Sequence, residues 1–163
     1  MRTDWNTFNF QWMLLVLWYK VNNNLEFRDM LMQIPLNAHI IEDTSYHKGN
    51  TATIWGCKNK DLTKLRQSKR SSLRSRLLEK GVFKLKILSY AEQKIDNRIN
   101  NIGTWIGQNA TGKALKLCQI ALVKNELPPI DLDLLNNSNI YWFGQKIRIF
   151  ADNNIIAYEV VPE

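Results

Sequence analysis

Glu42 and Asp43 end the apolar run Ala38-His39-Ile40-Ile41, which reads as a short buried strand. A carboxylate at the end of a rigid element can point into a cleft, where it stabilises a developing cation or activates water. Thirteen residues past Glu42 stands Trp55-Gly56. An indole face can hold a base or a sugar, and a glycine beside it lets backbone approach a ligand closely. Further on, Gly107-Gln-Asn109-Ala-Thr-Gly112-Lys113 precedes a helical pattern, so its backbone N–H groups, with Lys113, can cradle phosphate. It is not a Walker A loop, because the Gly-Lys-Ser/Thr ending is absent. Each feature also has a purely structural reading: Glu42 and Asp43 as loop-solvating or capping acids, Trp55 as core, Gly56 as a turn, and Asn109 as a left-handed turn residue.

A fourth feature is electrostatic. Residues 58 to 76 carry eight cations against the single acid Asp61. Lys64, Lys69, Arg70 and Arg74 are the candidate nucleic-acid contacts in this stretch, reaching phosphates rather than bases. The equal alternative is a solvated helix whose Leu62, Leu65, Leu73 and Leu77 pack onto the domain. Aromatic residues, useful for stacking single strands, are missing from the run.

The elements that must position these residues follow from periodicity. Trp5, Phe8, Trp12, Leu15 and Tyr19 recur every three or four residues, the stripe of a buried helix that Asp4 can cap. Asn22-Asn23-Asn24 interrupts it, and a second helix runs from Leu25 to Gln33, with Leu25, Met30 and Leu31 inward, until Pro35 stops it. Thr53-Ile54-Trp55 is β-branched and aromatic and predicts a short strand. Residues 82 to 88 fit a strand or the opening of a helix, and Ser89 to Ile99 fits a helix. Gly112 to Asn125 is a patterned helix bearing Leu115, Cys118, Ile120 and Leu122, closed by Pro128-Pro129. Two β-rich runs around Asp152-Asn153-Asn154 predict a C-terminal hairpin, to which Ile140 to Phe143 adds a third strand.

Composition sets the bounds. The chain's 163 residues, 45% hydrophobic and 23% charged, suit one globular domain with a real core and exclude wholesale disorder. A net charge of +7 and a pI near 9.5 favour anionic partners without choosing among them. The apolar run Trp12 to Tyr19 is too short to span a membrane, so no membrane partner is expected. Cys57 and Cys118 read as free thiols in a reducing cytoplasm, and with only two histidines no zinc pattern exists.

Three stretches taken in order resemble the NADAR family of N-glycosidases. The first runs from Asp4-Trp5 through Met13 to Lys20 and on to Met30-Leu31; the second is Ile40-Ile41-Glu42 followed by Trp55-Gly56; the third is Gly107 to Leu115. The resemblance implies a compact α+β fold, mostly α-helical, with small strands. Residues 1–129 would then form the NADAR-like domain, with a basic insertion at about 58–80, and residues 130–163 a β-rich extension. It further implies hydrolysis or recognition of an ADP-ribosyl or ribosyl-phosphate N-glycoside, with no metal or organic cofactor. Glu42 and Asp43 are then the catalytic candidates, and Trp55, Gly56, Gly107, Asn109, Gly112 and Lys113 the substrate-binding ones. The chain departs from the family pattern where Ala52 stands for an aspartate and Gln119 for an arginine, and the family's front segment has no counterpart here. That pattern fits a divergent relative, or a non-catalytic one that binds ADP-ribose or nucleic acid or inhibits a partner.

Overall fold

A computed structural model describes residues 3–79, 105–152 and 155–162. The fold is mixed α+β, with a small three-stranded antiparallel sheet. The chain divides into two compact units, the larger formed by residues 1–41 and 110–163 and the smaller by residues 42–109. Residues 82–88 and 89–99, for which a strand or a helix was expected, lie outside the described residues.

The larger unit is organised by helix α1 (Trp5–Asn23). Phe8, Leu14, Leu15, Leu17, Trp18 and Val21 are all buried, more of the helix circumference than the one stripe seen in the sequence. A helix apolar on most sides must be covered on most sides. Helix α5 (Ala110–Lys124) covers one of them with small residues: Gly112, Ala114, Cys118 and Ala121 are buried, while the larger Leu115 and Leu122 sit half-buried at its flanks. Small side chains let two helix axes approach closely. Asp4 occupies the position before α1, but its carbonyl rather than its side chain takes the Thr7 N–H.

Helix α2 (Leu25–Met32) starts where the asparagine run interrupts α1, and Asn24 caps it by accepting the Phe27 N–H. Of the three residues expected inward, only Leu31 is buried; Leu25 and Met30 are exposed, and Phe27 packs on the core instead. The break at Asn24 resets the helical register, so a stripe continued from α1 points the wrong way. The end of α2 is satisfied by one buried side chain. Gln119 Nε2 donates to the carbonyls of Leu31 (2.9 Å) and Ile34 (2.5 Å), and its Oε1 accepts from Lys116 Nζ (2.8 Å). A helix C-terminus leaves carbonyls without partners, and Gln119 supplies the donors that a buried end cannot get from water.

Helix α6 (Leu132–Asn137), capped by Asp131, leads into the sheet. Strand β1 (Tyr141–Trp142) pairs with β2 (Gln145–Asp152), and β2 pairs with β3 (Ile155–Val160), as the tail pattern predicted. Alternation sends Ile147, Ile149 and Ile156 into the core. The outer edge of β2 is closed by the Asn136 amide, which donates to the Ile149 carbonyl (2.9 Å) and accepts its N–H (2.7 Å), imitating a strand. The Tyr19 hydroxyl donates to the Ile156 carbonyl at 2.5 Å, tying α1 to β3. Burial, with a smaller contribution from Tyr158 nearby, raises the Tyr19 pKa. Cys118, fully buried, has its thiol pushed up to about 12 by desolvation. No helix of the described residues is long and apolar enough to cross a membrane.

Two of the predicted strands are not strands. Ala38 to Glu42 is irregular, and its only ladder contact is the single bridge that begins at Asp43. Thr53 to Trp55 lies in a five-residue helix, α3 (Thr51–Trp55). β-Branched residues favour strands only where a neighbouring strand receives them. Here Thr53 turns its hydroxyl back onto the Asn50 carbonyl (2.9 Å), and the Thr44 hydroxyl holds the Ala52 carbonyl (2.6 Å).

Replacing Gln119 by leucine keeps the volume and removes the side-chain donor to the Leu31 and Ile34 carbonyls. We expect a loss of about 1–3 kcal/mol in urea unfolding, with the far-ultraviolet circular dichroism of the folded state unchanged.

Candidate functional site

The smaller unit brings together residues far apart in sequence. Its frame is a set of single β-bridges: Asp43 pairs with Cys57 in parallel, and Lys58 with Ile106 in antiparallel. The Cys57 N–H donates to the Glu42 carbonyl (2.9 Å) and the Thr44 N–H to the Cys57 carbonyl (3.0 Å). The turn at Trp55-Gly56 is thereby laid against residues 42–44. Gly56 has an ordinary extended backbone, but a Cβ there would lie 2.6 Å from the Glu42 carbonyl oxygen and would overlap the Thr44 side chain. Glycine is required by lack of space.

The third stretch closes on the same turn. Gly107 has φ +149°, and a Cβ there would collide with the Gly56 carbonyl oxygen and stand 3.0 Å from the Thr53 carbonyl. The Gln108 N–H donates to Thr53 (2.6 Å) and the Asn109 N–H to Gly56 (3.3 Å). Asn109, at φ +54°, reaches with its side-chain oxygen to accept the Glu42 N–H at 3.0 Å, bridging 67 positions of sequence. Glu42, Trp55, Gly56, Gly107 and Asn109 therefore meet in one corner of this unit. Gly112, buried in the first turns of α5, and the exposed Lys113 belong to the larger unit. Helix α5 begins at Ala110, so Thr111 lies inside its first turn.

The two acids of the corner divide their roles. The Glu42 carboxylate is exposed and makes no ion pair among the described residues. Asp43 is committed to structure. Its Oδ1 accepts from the Ser45 N–H (3.0 Å) and the Ser45 hydroxyl (2.6 Å), and its Oδ2 from the Thr63 hydroxyl (2.8 Å). Ser45 Oγ in turn accepts the Asn59 N–H at 2.9 Å. Ser45 and Thr63 are almost wholly buried, so this cluster is a hydrogen-bonded joint rather than an open nucleophile site. Asn59 caps the next helix, accepting the Leu62 N–H (2.9 Å). The Asp43 network therefore fastens the Glu42 loop to the start of α4 (Lys60–Glu79). The spacing of Asp43, Ser45, Asn59 and Thr63 gave no warning of this joint.

Trp55 is half-buried. Ala52, at the position of the family's aspartate, is buried. The N–H groups of Gln108 and Asn109, which a phosphate cradle would need, are already bonded to carbonyls of the 53–56 turn. On α4, Leu62 is buried and packs with Trp105, whereas Lys60, Lys64 and Arg76 are exposed. Lys69, Arg70 and Arg74 follow along the same helix, their side chains outside the described ones. Among the described residues no group of three or more His, Cys, Asp or Glu side chains is placed to hold a metal. No family model, curated protein or solved structure matches the chain.

Gly107→Ala should destabilise the smaller unit by more than about 2 kcal/mol, combining a forbidden backbone angle with a backbone clash. Asn109→Ala should cost about 1–2 kcal/mol. Amide hydrogen exchange checks both: the Glu42 and Cys57 amides should exchange faster, while those in the middle of α1 keep their protection.

Proposed function

We propose that the Glu42 corner is the ligand site of a divergent NADAR-type domain that recognises, and through Glu42 hydrolyses, ADP-ribosyl or ribosyl-phosphate N-glycosides. The observation that carries the reading is the Asn109–Glu42 hydrogen bond, which draws the second and third resembling stretches into one corner and leaves one carboxylate open to solvent. Breaking a ribose–base bond builds positive charge on the sugar ring. A carboxylate beside the anomeric carbon stabilises that charge or activates the attacking water. Glu42 takes this role, because Asp43 has both oxygens engaged. Trp55, half-buried in the same corner, is the aromatic group that would hold the base or sugar.

Recognition without turnover is the second reading, favoured by Ala52 and by the spent N–H groups of residues 108 and 109. Titration calorimetry with ADP-ribose, followed by mass-spectrometric hydrolysis of ADP-ribosylated guanosine, separates the two. Turnover lost by at least about a hundredfold in Glu42→Gln, with ligand affinity kept within a few-fold, is the outcome expected of a hydrolase. Binding with no turnover in the unmodified chain makes the domain a reader; neither binding nor turnover sinks both readings.

The exposed cations of α4 give the corner a positively charged neighbour, so nucleic acid is the natural carrier of the glycoside. Affinity for a short oligonucleotide should fall steeply with salt, and Lys69→Ala with Arg70→Ala should flatten that slope by about two phosphate contacts. An affinity indifferent to salt would remove nucleic acid from the reading.

A further inference from the structure

The turn between β1 and β2 breaks a local rule. Trp142 pairs with Gln145, leaving a two-residue loop of Phe143 (φ +48°) and Gly144 (φ +81°). Positive φ at both central positions defines a type I′ turn, for which Asn-Gly is the favoured pair. A phenylalanine in the left-handed region is disfavoured, and this one is also 92% exposed. Its only ring contact among the described residues is edge-to-face with Trp142, at 5.4 Å between centroids. Neither the backbone nor the burial of Phe143 gains anything from this position within the unit. Local rules broken without a gain in folding mark functional positions.

Beside the tip lies a socket. Ile147, Ile149 and Ile156 are buried on the core face of the sheet, and Ile147 and Ile149 also form part of a pocket between that face and α1. The pocket is half-enclosed, of about 290 Å³, and is walled by Trp12, Val16 and Tyr19 of α1 and by Trp142 and Tyr158 of the sheet. No charged side chain lines it. Val16, Trp142, Tyr158 and Val160 keep between 44% and 53% of their surface in solvent. With Phe143 they present roughly 500–600 Å² of apolar surface per chain, on the scale of 150–250 Å² for a whole aromatic side chain. Two such faces give about 1,000–1,200 Å², the lower end of specific interfaces.

We propose that the larger unit forms a two-fold dimer in which Phe143 of each copy enters the pocket between α1 and the sheet of the other. One chain carries both plug and socket, side by side through Trp142, which is the self-complementarity a two-fold interface requires. Area alone does not set affinity, and an interface this small is expected to dissociate on the order of micromolar. The assignment rests on nothing proposed for Glu42.

Sedimentation equilibrium from about 1 to 200 μM tests it. The unmodified chain should move from the 19.1 kDa monomer toward twice that mass. Phe143→Asn supplies the residue that the turn prefers, so the thermal midpoint of the monomer should hold or rise while dimer affinity falls by about tenfold or more. Val16→Lys, which places a charge at the rim of the socket, should weaken the dimer similarly. A chain that stays monomeric throughout the range overturns the proposal. Saturable binding of 1-anilinonaphthalene-8-sulfonate by that monomer, quenched by Val16→Lys, would assign the pocket to a small apolar ligand instead. A dimer indifferent to both substitutions overturns it equally.

Discussion

Ala114 and Cys118 are small enough to let α5 lie against α1, and the larger unit is packed around that contact. Leu14 and Val21 face it with no exposed surface at all. Once α5 is seated, Gln119 comes to rest under the end of α2, and the opposite side of α1 is left to receive the sheet. A bulkier residue at either small position would separate the helices and carry Gln119 away from the carbonyls it serves. The high pKa of Cys118 comes from the same closeness: a thiol with no water beside it holds its proton.

The smaller unit is held differently. Its described part has little apolar core beyond Leu62 and Trp105, and much of its order comes from backbone held by side chains. Asp43, Ser45, Asn59 and Thr63 make one joint; Asn109 makes another; Gly56 and Gly107 permit both by leaving room. Such a unit fixes the geometry of a short loop well without burying much surface. A site that presents one carboxylate and one tryptophan to a ligand needs that kind of support.

Much of this was legible in the residues and some was not. The helices α1, α4 and α5 and the C-terminal hairpin follow from patterning strong enough that tertiary context only trims their ends. The failures share a cause. Ile40-Ile41 and Thr53-Ile54-Trp55 have the composition of strands, yet no long partner strand pairs with them among the described residues, and side-chain hydroxyls hold the second run in a helical turn. Leu25 and Met30 were expected inward because a helical period does not reveal a break in register at Asn24. At the site, Glu42 and Trp55-Gly56 were visible as residue types. That Asp43 would be spent on Ser45 and Thr63 was not, because hydrogen bonds between loops have no period to detect. Gly107 was read as part of a phosphate cradle, whereas the group that approaches it is the chain's own Gly56 carbonyl.

The larger unit is discontinuous: residues 42–109 separate α1 and α2 in sequence from α5 and the sheet. During synthesis α1 leaves the ribosome before α5, carrying Phe8, Leu14, Trp18 and Val21 with α2 as their first cover. The small residues of α5 follow only after about 90 more peptide bonds, roughly 5–20 s of elongation. The smaller unit lies wholly within that interval and can organise first, shortening the distance that α5 must search. Until then the side of α1 that α5 covers stays in solvent, apolar surface of the kind that makes a partly folded chain prone to aggregate. The closeness that makes the finished core tight is the contact the nascent chain reaches late.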